Sequence, residues 1–165
     1  MNIFAFGFGQ VSKYFIKKLA KEKNNFELNI SSRKDSHSGL FEGIKFNSYQ
    51  FDVKKIDNRI FEAILKADYI LISIPPIDGQ DIVIKNFKEA IKKTKTKWIT
   101  YLSATSVYGN HNGEWVNEKS KTKPTTINGV NRLKAEDQWL EFSKQYNLPF
   151  QIFRLSGIYS NQNNI

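Results

Sequence analysis

Two rhythms take turns along this chain: short apolar runs, and stretches in which apolar residues recur every three or four positions. Asn2 to Phe6 is a compact apolar run ending at Gly7, which predicts a strand, and Val11, Tyr14, Phe15 and Leu19 follow it at helical spacing. Phe26 to Ser31 reads as a second strand. Lys45 to Phe51 reads as a third, weakened by Asn47 and Ser48. Ile56, Ile60, Ile64 and Leu65 mark a helix, and Tyr69 to Ile74 is almost wholly apolar, as a strand buried on both faces requires. A helix over Asp81 to Lys93 should turn Val83, Phe87, Ala90 and Ile91 inward, with Asp78-Gly79-Gln80-Asp81 as its turn and N-cap. Trp98 to Ser103 is the fifth strand. Gly129 to Tyr146 is a helix with Ala135, Trp139, Phe142 and Tyr146 on one face, and Pro149 to Leu155 is the sixth strand.

Strand and helix alternating this regularly predict an α/β fold, a doubly wound parallel sheet with helices on both faces, as one domain over residues 1–165. The exception to compact spacing is Ala104 to Ile127, a connection of a length that is usually either functional or disordered.

Composition narrows the partners. The net charge is +9, but arginine occurs only at positions 33, 59, 132 and 154, so no arginine-rich stripe is present to grip nucleic acid. The densest basic run, Lys92 to Lys97, contains no aromatic residue, and scattered solvated lysines account for the charge. There is no cysteine, which fits a reducing compartment. The apolar run Tyr69 to Ile77 is too short to cross a bilayer, and Met1-Asn2-Ile3 lacks the basic start of a signal peptide. The expectation is a cytoplasmic protein with neither a membrane nor a nucleic-acid partner. His37 and His111 sit in polar stretches without clustered carboxylates, so no metal site is expected.

Gly7-Phe8-Gly9-Gln10-Val11-Ser12 lies where the first strand passes into the first helix. Gly7 permits a tight turn, Gly9 leaves room for a pyrophosphate against the backbone, and the helix start favours an anion. Ser12 stands where Gly or Ala is usual, and the competing account is a plain strand–helix turn. The second strand ends Ile30-Ser31-Ser32-Arg33-Lys34 rather than in a carboxylate. Hydroxyls beside Arg33 and Lys34 suit a 2′-phosphate, favouring NADP with NAD as the alternative; otherwise Arg33 merely opens a solvated loop. Asp52 is open between accepting from an adenine amino group and capping a helix over Asp52-Val53-Lys54-Lys55.

These features, with Ile72-Ser73-Ile74-Pro75-Pro76, Tyr101-Leu102-Ser103-Ala104-Thr105-Ser106-Val107-Tyr108-Gly109 and Arg154-Leu155-Ser156-Gly157-Ile158-Tyr159, resemble the atypical extended short-chain dehydrogenase/reductases of the NAD-dependent epimerase/dehydratase superfamily. The resemblance implies a Rossmann-type fold. It also implies a cofactor held by Gly7, Phe8, Gly9, Gln10 and Val11, by Ser32 and Arg33, by Asp52, by Ile74 and Pro75, and by Ser103 and Arg132. It implies a serine or threonine after the fifth strand and a Tyr-x-x-x-Lys on the next helix; Ala104, Asn128 and Arg132 stand there instead. An alanine donates no hydrogen bond and an asparagine amide is no general acid, while Arg132 remains a fixed cation for the ribose. Ser103 and Tyr108 lie nearby, off the usual positions, where loop packing accounts for them, and the catalytic residues stay unassigned.

The resemblance further implies chain beyond the sixth strand that builds a substrate lobe. With Ile165 as the last residue, that lobe is expected to be missing and Phe150 to Leu155 to be an unprotected edge through which the chain dimerises. Glu114 and Glu118, beside Trp115, would line a substrate cleft or stand in solvent. Three readings stay open: an NADP-dependent oxidoreductase or epimerase-like enzyme acting on a small molecule, a non-catalytic dinucleotide-binding or sensing module, and an inactive remnant.

Overall fold

The computed structural model describes residues 1–23, 25–52 and 54–159; Asn24, Val53 and the stretch Ser160 to Ile165 lie outside the described residues. Seven strands and four helices follow one another: β1 (Asn2–Phe6), α1 (Gln10–Glu22), β2 (Glu27–Ser32), β3 (His37–Phe41), β4 (Ile44–Gln50), α2 (Arg59–Leu65), β5 (Tyr69–Ile72), α3 (Ile82–Ile91), β6 (Trp98–Ala104), α4 (Ile127–Gln145) and β7 (Phe150–Leu155). They form one sheet in the order β3-β4-β2-β1-β5-β6-β7, with every neighbouring pair parallel except β3 and β4. The chain works outward from β1 through β2 to β4, then returns to β5 on the other side. This reversal leaves a crevice at the carboxyl ends of β1 and β5.

Both faces of β1 are buried, which is why Asn2 to Phe6 reads as continuous rather than alternating. Phe4 and Phe6 enter the core that α2, α3 and α4 close with Ile60, Ile64, Val83, Phe87 and Trp139. Ile3 and Ala5 join the opposite core with Ile16 of α1, Leu28 and Ile30. Asp81 caps α3 as expected, accepting from the amides of Val83 and Ile84 at 2.9 Å each.

Several expectations are corrected. The third strand is half of a hairpin: β3 pairs antiparallel with β4 through Glu42-Gly43, both at positive φ. His37 therefore begins a strand instead of lying in a loop. The helix expected from Ile56 starts at Arg59, because Ile56 bridges back to Phe51. Asp52 caps no helix; it closes a tight turn with Lys55, in which the two residues exchange backbone hydrogen bonds. In α1 the fully buried residues are Ser12 and Ile16; Val11 and Leu19 of the stripe read from the sequence pack half-buried against the same core, while Tyr14 and Phe15 are exposed. Tyr146 caps the end of α4 and is exposed rather than packed inward. The long connection after β6 holds a short 3-10 turn over Thr105–Val107, and α4 begins at Ile127, two residues early.

Asp57, between β4 and α2, gathers the corner next to Arg33. It accepts from Ser36 Oγ at 2.5 Å and from the amide and side chain of Arg59, the shortest of these at 2.6 Å. The Arg59 guanidinium holds the Asp57 carboxyl well below the usual carboxylate range. A depressed carboxylate stabilises the folded state above its unfolded pKa, and that stabilisation is lost as pH falls through the folded value. Asp57→Asn is expected to cost about 1.5–3 kcal/mol at neutral pH. The deficit should shrink below pH ~4, which denaturant titrations at pH 7 and pH 3 would measure.

Candidate functional site

At the mouth of the crevice, Gly7 stands at φ +86, and a Cβ there would lie 2.7 Å from Ile74 Cγ2 and 2.8 Å from Ser73 Oγ. Both the backbone conformation and the space demand glycine. Gly9 is different. It is the N-cap of α1 in an extended conformation, no atom lies within 4 Å of where its Cβ would be, and it supplies no side-chain cap. The space in front of Gly9 is a cavity of about 270 Å³, lined also by Gln10, Val11, Ser12, Ser103 and Arg132. A Cβ at Gly9 would project into open volume, as expected of a position kept bare for a ligand.

Ser12, the departure from the usual small residue, is fully buried and hydrogen-bonds Ser73 Oγ at 3.0 Å. The Ser73 hydroxyl faces the carbonyls of Phe6 at 2.9 Å and Gly7 at 3.1 Å. The Gly7 amide donates to Ser31 Oγ at 3.1 Å. Three hydroxyls thus fix the turn that close packing alone fixes elsewhere. Phe8 faces away from the cavity: its ring meets Phe41 edge-on at 5.1 Å and Phe46 at 6.0 Å, so only its backbone remains for a ligand.

The residues expected to hold the cofactor divide into groups. Gly9, Gln10, Val11, Ser103 and Arg132 share the cavity beside α1. Asp52 lines a second cavity of about 240 Å³ in which Phe51, Ile77 and Ile82 meet the polar residues Asp78, Gln80, Lys85 and Asn86. Ile74 packs against the Gly7 turn, and Pro75 is exposed. Ser32 and Arg33 stand outside both cavities. The Ser32 hydroxyl is turned to its own chain, accepting from Ser48 Oγ at 3.2 Å and the Lys34 amide at 3.3 Å. Arg33 and Lys34 are exposed. Ser73, Ala104, Leu155 and Ser156 also line the first cavity. The spacing around Gly7 gave no sign of Ser73, whose role arises from β5 lying beside β1.

The far wall carries the positions at which the resemblance expected a proton relay. Ala104 ends β6 and lines the cavity without a donor, and Asn128 is exposed in the first turn of α4. Arg132 donates to the carbonyl of Leu102 at 2.8 Å and to the Tyr101 hydroxyl at 3.3 Å. Burial pushes the Tyr101 phenol up to about 12, so it stays protonated and is no substitute base. Ser103 Oγ is buried and has no hydrogen-bond partner among the described residues. Behind this wall, Glu136, 1% exposed, takes a bidentate grip from Arg154, the shortest contact being 2.7 Å.

Comparison with known proteins agrees with this geometry. Residues 83–164 match the model of the NAD dependent epimerase/dehydratase family. No curated protein sequence matches the chain. Among solved structures, a functionally unknown conserved protein from Silicibacter pomeroyi is 27% identical, with a TM-score of 0.76 over 96% of this chain and 54% of its own. UDP-glucuronic acid 4-epimerase from Bacillus cereus, solved with NAD, is 20% identical, with a TM-score of 0.76 over 96% of this chain and 57% of its own. UDP-N-acetylglucosamine 4-epimerase from Bacillus cereus is 18% identical, with a TM-score of 0.72 over 100% of this chain and 57% of its own. The chain spans little more than half the length of the solved structures it matches. Residues 83–164 thus belong to the NAD dependent epimerase/dehydratase family, and the described chain carries the Rossmann-type fold that solved epimerases share.

Proposed function

We propose that this chain binds a pyridine dinucleotide, NADP in preference to NAD, and holds it without the family's usual proton relay. The observation that carries the reading is Gly9: a bare N-cap at the start of a 13-residue helix, facing open volume that Arg132 also lines. The helix start attracts the pyrophosphate, and Arg132 supplies a cation beside it. Asp52, beside Phe51, Ile77 and Ile82, suits an adenine. Bound, the cofactor supplies a hydride donor or acceptor; the residues around it supply no acid at position 104 or 128 to move the accompanying proton.

UDP-glucuronic acid 4-epimerase was solved with NAD. Here β2 runs into Ser32-Arg33-Lys34 with no carboxylate at the end of the strand itself; Asp35 follows, exposed and paired with Lys55 at 3.7 Å, and Arg33 is exposed. Calorimetric titration tests the preference. NADP should bind more tightly than NAD, and Arg33→Ala should weaken NADP about 10- to 100-fold while leaving NAD unchanged, as loss of a charge-assisted contact worth ~1.5–3 kcal/mol predicts. Equal binding of the two cofactors would sink the preference, and binding of neither would sink the whole reading.

A catalytic reading has one observation behind it: the orphaned Ser103 hydroxyl in the wall that Arg132 shares. Incubation with UDP-glucuronic acid and NAD or NADP, followed by chromatography, tests it; no epimerised sugar is expected. β7 is the outermost strand of the described sheet on that side; pairing of two copies through it would show in sedimentation over a concentration series.

A further inference from the structure

The edge strand β3 is unguarded. Its residues, His37-Ser38-Gly39-Leu40-Phe41, include no Lys, Arg, Asp, Glu or Pro, the residues that keep an outer strand from pairing. Leu40 is 67% exposed. Backbone geometry says which groups the strand offers. Glu42 and Gly43 both stand at positive φ, a two-residue turn of the I′ kind. Phe41 and Ile44, which flank that turn, form a hydrogen-bonded pair. Bonded pairs recur at every second position, Gly39 with Phe46 and His37 with Ser48. The N–H and C=O groups of Ser38 and Leu40 are therefore turned away from β4, to the outside.

These outward groups sit symmetrically about Gly39. Laid antiparallel against itself with Gly39 opposite Gly39, β3 exchanges two backbone hydrogen bonds between Ser38 of each copy and Leu40 of the other. The pair on the axis is a non-bonded one, where Cα atoms come within about 4.5 Å of each other. That crowded position is the one glycine of the strand. A Cβ at Gly39 would lie 2.5 Å from Phe46 Cζ, so the half-buried ring of Phe46 already lies over the axis. Two such rings would meet there, each covering a strand glycine. A strand from another protein would find the same backbone groups but no matching ring. The +9 charge of each copy opposes the contact, and a patch this small makes it weak.

We propose that two copies of this chain pair β3 to β3 about a two-fold axis through Gly39, so that one sheet runs through both. The dissociation constant is on the order of 0.1 mM, and the pairing tightens as salt screens the positive charge. This goes beyond cofactor binding, and its test needs no nucleotide, so its failure would leave the dinucleotide reading untouched.

The full chain has no cysteine, so Lys45→Cys and Phe153→Cys each accept a single nitroxide label. Lys45 is exposed on β4 beside Leu40, and Phe153 lies on β7 at the opposite edge. In the pair the two labels at residue 45 stand three strand spacings apart, about 15 Å. The spin resonance spectrum of that variant should broaden as its concentration rises from about 10 μM to about 1 mM, while the label at residue 153 stays sharp. Sedimentation of the unlabelled chain should follow the same equilibrium, with the dissociation constant falling about threefold between roughly 0.05 and 0.5 M salt. Leu40→Lys should weaken the pairing about tenfold or more and leave thermal unfolding unchanged, because residue 40 is exposed. Ser38→Pro removes an outward N–H from each copy and should abolish the broadening. Sharp spectra at residue 45 throughout, broadening at residue 153, a Leu40→Lys variant that pairs like the parent, or association that weakens with salt would each overturn the proposal.

Discussion

Aspartate in place of Gly9 is expected to leave the protein slightly more stable and unable to hold a dinucleotide. The two effects have one cause. Gly9 caps α1 without a side chain, at φ −81, in space where a Cβ meets nothing. An aspartate fits that backbone, accepts from the first-turn amides and complements the helix dipole, gaining a few tenths to about 1 kcal/mol. Those amides and that positive end are the features proposed to hold the pyrophosphate. The new carboxylate would occupy the cavity and repel the phosphates, so affinity should fall by about two orders of magnitude or more, roughly 3 kcal/mol. Thermal unfolding and calorimetry on the same sample should therefore move in opposite directions. A variant that is destabilised and still binds NADP would contradict the assignment of this helix start.

Arg154→Ala should produce the largest loss of stability among single changes near the site. Glu136 is buried on α4 and receives two nitrogens of Arg154 from β7, while the guanidinium also lies 4.8 Å from the Tyr108 ring centre. The hydrogen bonds to Glu136 raise the Arg154 pKa and hold it charged. Removing one member of a buried ion pair strands the other, at a cost of about 3–5 kcal/mol, against a total stability of roughly 5–15 kcal/mol for a domain. Replacing both partners, Glu136→Leu with Arg154→Met, should restore most of the loss, because two apolar side chains leave no buried charge. Denaturation midpoints of the single and double variants measure this directly. A single variant within 1 kcal/mol of the parent would mean that water reaches Glu136.

Much of this architecture was legible in the chain. Asn2 to Phe6 and Tyr69 to Ile72 were plain because strands buried on both faces are written as unbroken apolar runs. Asp81 was legible as a cap because its role is local. The hairpin strand β3 was not, since His37-Ser38-Gly39-Leu40-Phe41 alternates poorly and depends on Phe46 lying across Gly39 from the next strand. The inward face of α1 was misread for a related reason. Ser12 is buried because Ser73 meets it, and no pattern within the helix announces a partner 61 residues away. Among the proposed site residues, Gly7 and Gly9 were readable from their place between strand and helix, and Arg132 only through the family resemblance. The second cavity around Asp52 was only half visible, since it needs β4 and β5 to bring Phe51 and Ile77 together. Arg33 was readable as a cation, but its exposed setting came only from the hairpin that follows it.

That hairpin has a bearing on heat tolerance. Phe8, inside the glycine turn, rests on Phe41 of the edge strand β3 and Phe46 of its hairpin partner β4, and Lys17 of α1 reaches Glu42 at their tip at 2.9 Å. Outer strands are the first parts of a sheet to come loose on warming. As these two peel away, the support under the turn goes with them while β1, β5 and β6 stay paired. Grip on a nucleotide would therefore fade some degrees before the domain melts, and the temperature ceiling of the protein would be set at its rim rather than in its interior.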